Sequence, residues 1–262
     1  MECRAQEIRK KLRAGELVVG GHTFYTDPAI TASLGYQGFD FVWIDDEHAA
    51  FDKANILNHI VAADSAKTAS IVRLPWNDPV IAKPILEMGP DGIIFPMICS
   101  ADEAKKAVAG CLYPPKGIRG FGPKRSSHYG AIPTKEYLKQ AEDSFLRIVQ
   151  IEHIDAVENL EEILQVEGVD LALVGPNDLS ASIGHLGETR HEDVVKLYEQ
   201  IIATCKKMKK PFGVSVGAND TVAIAYWIEN GVSFIGCGDD ISYICKGSQE
   251  TFAYVAACKK CR

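Results

Sequence analysis

The residue types most suited to chemistry occur in one short stretch, where an apolar run meets ionisable side chains. Residues 41–44 are apolar, and Asp45, Asp46, Glu47 and His48 follow them directly. Carboxylates and imidazoles are seldom buried without partners, because moving an unpaired charge out of water costs free energy. The stretch therefore indicates either a strand that ends in a cleft or a solvated turn before a helix cap.

A second set of polar side chains lies near the ends of three other apolar runs. Its members are Arg73, Gln150, Glu152 and Asp178. Gln150 and Glu152 are two residues apart, so their side chains point to the same face of a strand. Arg73 cannot lose its charge, and on a buried strand it needs an anion, either a carboxylate of the protein or a substrate.

The carboxylates of Glu152 and Asp178 form a candidate metal site. They are hard oxygen donors from neighbouring strands, and two of them suit Mg²⁺ or Mn²⁺, which keep water and substrate oxygens as further ligands. The ends of the predicted strands carry no cysteine or histidine cluster that would favour a closed zinc site. Each residue also has a structural explanation, since Glu152 could pair with a lysine and Asp178 could cap the following turn.

The elements that must position these side chains alternate between strand and helix. Strands are predicted at residues 17–21, 39–44, 69–74, 92–98, 147–152, 169–175, 211–216 and 233–237. Their continuous apolar character indicates burial on both faces, and the alternating order indicates a parallel sheet. Eight such units predict an α/β fold, a (β/α)₈ TIM barrel in which residues 1–262 form one domain, with the active site at the carboxyl ends of the strands.

The rival fold is a doubly wound, dinucleotide-binding sheet. The chain has no G-x-G-x-x-G after the first strand and no G-x-x-x-x-G-K-[ST] motif, so the barrel is favoured. None of the eight strand cores contains a lysine, so a Schiff-base mechanism has no candidate nucleophile. Residues 113–129 contain too much proline and glycine for a regular element and predict a long loop.

Composition excludes several classes of protein. The net charge of −7 argues against a nucleic-acid-binding surface. No apolar run approaches the roughly 18 residues needed to span a bilayer, so neither membrane nor nucleic acid is an expected partner and a cytoplasmic location is predicted. The eight cysteines do not form a dense disulfide framework. Cys258 and Cys261 have C-x-x-C spacing, but the two further ligands of a zinc site are missing.

Six short motifs occur in a fixed order along the chain. They are Ile44-Asp45-x-Glu47-His48, Val72-Arg73-x-x-Trp76-Asn77-Asp78, Tyr113-Pro-Pro-Lys-Gly-Ile-Arg-Gly120, Val149-Gln150-Ile151-Glu152, Val166-Glu-Gly-Val-Asp170 and Gly175-Pro176-x-Asp178-Leu179-Ser180. Together they extend over nearly the whole chain. Their sequences and order resemble those of the HpcH/HpaI aldolase family. These are class II, metal-dependent pyruvate aldolases, and they include 4-hydroxy-2-oxoheptanedioate aldolase and 2-dehydro-3-deoxyglucarate aldolase.

The resemblance implies a carbon–carbon lyase that cleaves or forms the C3–C4 bond of a 4-hydroxy-2-keto acid. The products are pyruvate, formed through a metal-stabilised enolate, and an aldehyde. It also implies a divalent ion (Mg²⁺, Mn²⁺ or Co²⁺) and a homohexamer, a trimer of dimers in which residues 243–262 form a C-terminal helical tail used in oligomerisation. One alternative is a citrate-synthase-like relative that forms carbon–carbon bonds on the same barrel site. Another is a binding protein with an inactive barrel.

The resemblance places the metal and the pyruvyl group at matching positions. Glu152 and Asp178 would hold the ion. Gln150, Gly175 and the backbone N–H groups near Asn177 and Asp178 would bind the pyruvyl part of the substrate.

Four further residues receive catalytic roles from the resemblance. Arg73 would bind the keto oxygen and stabilise the enolate. His48 would be the general base, acting directly or through a metal-bound water, with Asp45 orienting it. Glu87 occupies the place of a further acidic residue that the family often has. Asp46 stands where the family usually has a small residue, which leaves the aldehyde preference open.

Overall fold

The computed structural model of this chain describes residues 3–260 and contains a closed barrel of eight parallel strands. Each strand pairs with its neighbours in sequence order, and β8 closes against β1. The strands are β1 (Val18–Thr23), β2 (Phe41–Asp45), β3 (Ala69–Arg73), β4 (Gly92–Phe95), β5 (Leu146–Ile151), β6 (Leu171–Val174), β7 (Phe212–Val216) and β8 (Phe234–Asp239). The predicted (β/α)₈ barrel is therefore confirmed.

Helices lie between the strands and at both ends of the described chain. They are α1 (Arg4–Arg13), α2 (Ala29–Tyr36), α3 (Lys53–Ala66), α4 (Pro79–Met88), α5 (Ala101–Cys111), α6 (Thr134–Gln140), α7 (Ile154–Glu158), α8 (Leu160–Gln165), α9 (Pro176–Ser182), α10 (Glu192–Met208), α11 (Thr221–Glu229) and α12 (Asp240–Lys260). Polar side chains begin several of them. Asp52 and Ser100 accept hydrogen bonds from backbone N–H groups in the first turns of α3 and α5, which satisfies donors that lack a partner inside the helix.

Aromatic side chains fill the amino end of the barrel interior. The rings of Phe41 and Phe234 stack with their centroids 4.0 Å apart. Gly20 makes room for them, since a Cβ atom at this position would lie 2.5 Å from the Phe41 ring. Helix α1, which the sequence pattern did not predict, packs Ile8 and Leu12 into this same core.

Strand β4 and the long loop after α5 differ from the sequence-based expectation. Strand β4 ends at Phe95 instead of residue 98. Pro96 has no N–H for the ladder, and Met97 has a φ angle of 52°, which turns the chain out of the sheet. Within the predicted loop, Arg125–Gly130 forms a 3-10 helix. Two short helices, α7 and α8, lie between β5 and β6.

The C-terminal helix α12 extends from the end of β8. It packs against β1 and β8 near its start and exposes Phe252, Tyr254 and Val255 further along. The predicted helical tail is thus helical as far as Lys260, whereas Cys261 lies outside the described residues. Within residues 3–260, no helix is long and apolar enough to cross a membrane.

Candidate active site

An arginine and two carboxylates meet where β2 and β3 end. Asp45 and Arg73 are the last residues of these strands and lie opposite each other in the register. Arg73 Nε donates a hydrogen bond of 3.0 Å to Asp45 Oδ2, its Nη2 contacts the same oxygen, and its Nη1 lies 2.9 Å from Glu47 Oε2. A guanidinium has five N–H donors, so Arg73 retains two for a substrate. The anion that the sequence required is therefore supplied, in part, by the protein itself.

Asp45 also organises the turn that carries His48. Its Oδ1 accepts hydrogen bonds from the backbone N–H groups of Glu47, at 3.1 Å, and His48, at 2.8 Å. Asp45 is fully buried, whereas the His48 side chain is 62% exposed, and its Nε2 lies 3.8 Å from Glu47 Oε2. Asp45 therefore orients the backbone of His48 and does not contact the imidazole, which points toward solvent.

Glu152 is a buried carboxylate directly after β5. Its Oε1 accepts a hydrogen bond of 2.8 Å from the Met97 N–H, and its Oε2 accepts one from the Gln150 amide. Burial raises the pKa of Glu152 to about 7, and the carboxylates of Glu47 and Asp178 add to the rise. The turn at Met97, which ends β4 early, thus places a backbone donor on this carboxylate.

The surroundings of Glu152 fit a divalent cation. Gln150 Oε1 is buried without a hydrogen-bond partner among residues 3–260. Gly175 keeps space open, because a Cβ atom there would lie 2.6 Å from Glu152 Oε2. Asp178, in the first turn of α9, is exposed, and its negative charge contributes to the raised pKa of Glu152. Burial also raises the pKa of Asp46 to about 6, and the negative charge of Asp45 adds to the rise.

The structure adds His22, which sequence reasoning missed because it ended the first strand at residue 21. His22 stacks on Trp43, with ring centroids 4.2 Å apart, and its Nε2 lies 3.2 Å from Ser215 Oγ. Burial lowers the pKa of His22 to about 4, so the ring is neutral near pH 7. The available signal was an ionisable residue directly after an apolar run, which is the same signal that identified Asp45.

Glu87 is the one predicted site residue that the structure places elsewhere. It lies on α4, and its Oε1 accepts a hydrogen bond of 3.0 Å from Arg119 Nη2. Arg119 belongs to the long loop after α5 and lies over the Tyr113 ring, at 4.6 Å from its centroid. The described contacts of Glu87 are therefore with this loop, not with Arg73 or Glu152, and its catalytic role stays a prediction.

A cavity of about 610 Å³ opens beside these residues. Its wall includes His22 near the end of β1, Asn177 in the first turn of α9, Arg190 in the loop before α10, and Trp227 on α11. The predicted substrate-binding residue Asn177 thus borders a space large enough for a small molecule. The arrangement combines a fixed cation, an excess of carboxylates and an exposed imidazole at the mouth of the barrel.

The sequence is similar to known proteins of one family. The family model HpcH/HpaI aldolase/citrate lyase matches residues 23–240. The 5-keto-4-deoxy-D-glucarate aldolase of Klebsiella pneumoniae subsp. pneumoniae is 34% identical over 245 residues, covering 93% of this chain and 94% of the relative. The 4-hydroxy-2-oxo-heptane-1,7-dioate aldolase of Shigella flexneri is 37% identical over 244 residues, covering 92% and 90%.

Among solved structures, an HpcH/HpaI aldolase/citrate lyase family protein from Burkholderia cenocepacia J2315 has a TM-score of 0.91 and 29% identity. The match covers 95% of this chain and 99% of that chain. The family model and these relatives match most of the sequence, and the solved structure shares the fold. The chain therefore belongs to the HpcH/HpaI aldolase/citrate lyase family.

Proposed function

We propose that this enzyme is a metal-dependent class II aldolase acting on a 4-hydroxy-2-keto acid. It cleaves or forms the C3–C4 bond and gives pyruvate and an aldehyde. The observation that carries the proposal is the pairing of Arg73 with Asp45 and Glu47, which fixes a cation at the barrel mouth near the buried carboxylate of Glu152. The aldolase names of the two relatives support the same reaction class.

The cofactor in this proposal is Mg²⁺, Mn²⁺ or Co²⁺, held by Glu152 and Asp178. Support comes from the burial of Glu152, which raises the pKa of its carboxyl, and from the negative charges of Glu47 and Asp178, which add to the rise and which a cation would offset. When bound, such an ion supplies Lewis-acid charge to the keto oxygen and carboxylate of the substrate.

The residues around this ion bind and orient the pyruvyl group. The two N–H groups that Arg73 does not give to Asp45 or Glu47 donate to the keto oxygen, where negative charge develops as the bond breaks. Gln150 and the backbone N–H groups near Asn177 and Asp178 hold the rest of the pyruvyl group. Gly175 leaves the room that this pose needs, because any side chain there would meet Glu152.

His48 moves the proton in this proposal. On cleavage it takes the proton of the C4 hydroxyl, and imidazole is a base suited to neutral pH. Its exposure lets it exchange that proton with solvent. Asp45 acts indirectly, since its hydrogen bond to the His48 N–H sets the direction of the turn.

The test of the proposal is metal-dependent release of pyruvate from a 4-hydroxy-2-keto acid. We expect EDTA to abolish release, and Mg²⁺, Mn²⁺ or Co²⁺ to restore it. Glu152→Gln should stay inactive after metal is added back. Glu229→Gln, which changes an exposed glutamate at the end of α11, should behave as the wild type. Full activity in chelator contradicts the proposal.

A panel of aldehydes offered with pyruvate and metal, with product analysis, identifies the second substrate. Exchange of the methyl protons of pyruvate with deuterium tests the enolate step without any aldehyde. The barrel acts only as a binding protein if neither bond formation nor exchange occurs in the metal-loaded wild type.

The citrate-synthase-like alternative has less support, because both reported relatives carry aldolase names. It predicts product from oxaloacetate and an acyl donor, which the same product analysis would detect. No aldehyde would then serve as a substrate.

For the assembly, we propose a homohexamer, a trimer of dimers in which α12 packs against a neighbouring subunit. The exposed side chains of Phe252, Tyr254 and Val255 support this role, since exposed apolar groups at close spacing indicate an interface. Light scattering after gel filtration should give six times the chain mass. A chain that ends at Gly247 should give a smaller species.

A further inference from the structure

Two histidines and an aspartate come together around the loop between α9 and α10. The rings of His185 and His191 stack with centroids 3.6 Å apart and an interplanar angle of 19°. Asp193 Oδ2 lies 3.9 Å from His185 Nε2 and 3.7 Å from His191 Nδ1. The three residues offer ligand atoms within 4.8 Å of one another, and no other such trio of His, Cys, Asp or Glu occurs in residues 3–260.

Neighbouring groups determine which atoms of this trio a cation could use. Glu188 Oε2 lies 3.3 Å from His185 Nδ1 and holds the proton there, so the Nε2 lone pair remains available. His191 Nδ1 accepts a hydrogen bond of 3.3 Å from the Asp193 N–H, so an ion bound at this nitrogen would replace that bond. Lys196 Nζ occupies Asp193 Oδ1 at 2.7 Å, which leaves Oδ2 facing the histidines. A carboxylate behind a ligating histidine is the usual second partner in metal sites.

We propose that His185, His191 and Asp193 bind a divalent transition-metal ion of the Zn²⁺ type, at a site separate from Glu152 and Asp178. Imidazole suits Zn²⁺, Co²⁺ and Ni²⁺, whereas Mg²⁺ prefers oxygen ligands, so the two sites select different ions. The side chains are 26%, 32% and 48% exposed, which leaves room for water as a fourth ligand.

A bound ion would require the two imidazole rings to rotate out of their stack, because the lone pairs of stacked rings lie in separate, nearly parallel planes. Ligands of a tetrahedral Zn²⁺ with bonds of about 2.0–2.1 Å stand about 3.4 Å apart. The separations of 3.9 and 3.7 Å must therefore shorten by roughly half an ångström. Gly184 and Gly187 have φ angles of 85° and 82°, so the loop already depends on glycine for its path.

This site would fix one wall of the cavity beside the barrel mouth. Thr189 and Arg190 line that cavity and directly precede His191. Arg190 Nη2 also lies 2.5 Å from Asp220 Oδ1, which joins the loop to the start of α11. An ion at the three ligands would hold this wall in place from the other side, so it would order the segment of residues 183–191.

The proposal is tested by metal stoichiometry in the full chain, with Zn²⁺ and Co²⁺ as probes and excess Mg²⁺ present. The background is Glu152→Gln with Asp178→Asn, which removes the proposed catalytic metal site. We expect this background to bind one equivalent of Zn²⁺ per chain and to give visible absorption bands with Co²⁺. Adding His185→Gln or His191→Asn should abolish both signals. Asparagine can still cap α10, so this variant keeps the helix start.

The control is His128→Asn, which removes an exposed histidine elsewhere and keeps a residue that tolerates its φ angle of 52°. It should retain the full equivalent. Glu188→Gln should weaken Zn²⁺ binding by about tenfold or more. Hydrogen exchange of residues 183–191 should slow when Zn²⁺ binds. The proposal is overturned if the background binds no Zn²⁺, if folded His185→Gln and His191→Asn chains bind as much as the background, or if His128→Asn loses the same equivalent.

Because the catalytic ligands are absent from the background, the result does not depend on the proposed aldolase activity. A wild type that releases no pyruvate with Mg²⁺, while the background still binds this Zn²⁺ equivalent, would count against the proposed function alone.

Discussion

The two ends of the barrel interior differ in chemistry although the same strands build both. At the amino end, the apolar side chains of Phe41 and Phe234 stack on each other. At the carboxyl end, Asp45 binds Arg73, and Glu152 is buried nearby. In β2, Phe41, Trp43 and Asp45 are alternate residues, so all three point to the same face of the strand.

Residues that stabilise the barrel and residues suited to chemistry therefore lie at opposite ends of the same strand. Burying the phenylalanine rings contributes favourably through the hydrophobic effect. Burying Asp45 and Arg73 removes two charges from water, and their attraction only offsets that cost. The carboxyl end is therefore maintained at a cost in free energy, which is typical of functional sites. Substitutions at the two ends should have different consequences.

The largest expected effect is on turnover, at Arg73. Arg73→Ala should lower kcat by about 1000-fold, because a fixed cation at the developing enolate oxygen is lost. Arg73→Lys should recover part of the activity, since it restores charge without the two-pronged geometry. Pyruvate release measures both variants, and circular dichroism verifies folding. An unchanged rate in folded Arg73→Ala removes this residue from the mechanism.

Arg147→Ala provides the matched comparison at the other end. Arg147 is near the amino end of β5 and donates hydrogen bonds to the carbonyls of Gly168 and Glu142. Its removal should lower the melting temperature and leave kcat per folded chain unchanged.

The second effect concerns stability at the amino end. Phe41→Ala should lower the free energy of unfolding by about 3–5 kcal/mol, because it leaves a cavity against Phe234. Urea unfolding measures the loss. Metal affinity of the remaining folded protein should not change. A loss below about 1 kcal/mol would mean that the barrel interior repacks easily and that the proposed contrast between its ends is weak.

The third effect is a pH dependence of the free energy of unfolding, caused by Glu152 at the carboxyl end. The pKa of Glu152 is about 7 in the folded protein and 4.5 in a model peptide. The folded state therefore binds more protons between these values, and its stability falls as pH rises through that range. In chelator, Glu152→Gln should be more stable than the wild type by about 3 kcal/mol at pH 8 and by almost nothing below pH 4.5.

Unfolding in urea at several pH values, with Glu229→Gln as control, measures this difference. A gap that does not vary with pH would show that Glu152 does not titrate as its burial suggests. Acid should also weaken metal binding over the same range, because the proton and the ion compete for this carboxylate.

The smallest effect is expected at Glu87. The family resemblance implies a catalytic role for this residue, whereas in the structure it accepts a hydrogen bond from Arg119. Glu87→Gln keeps a hydrogen-bond acceptor but leaves the buried Arg119 without its counter-charge. We expect a loss of about 1–3 kcal/mol in stability and less than a tenfold loss in kcat. A loss of 100-fold or more in kcat with unchanged stability would establish the catalytic role that the family resemblance implies.

Much of the site was predictable because it depends on strand order. Gln150 and Glu152 follow from alternation along one strand, and Asp45 and Arg73 from the ends of neighbouring strands. The contact between Asp45 and the His48 backbone was not predictable, since a turn of three residues can direct a buried carboxylate to a ring or to an N–H group. His22 was missed because one residue at the end of β1 decided its inclusion.

The sequence by itself determined the barrel, the family and the strand ends that carry charge, because these depend on local periodicity and on the order of motifs. Tertiary structure decided three things that depend on distance between remote segments. It gave Arg73 two carboxylate partners, placed Glu87 beside Arg119, and stacked His185 on His191. Each depends on how a turn or loop folds back in space, and residue spacing along the chain carries little information about that path.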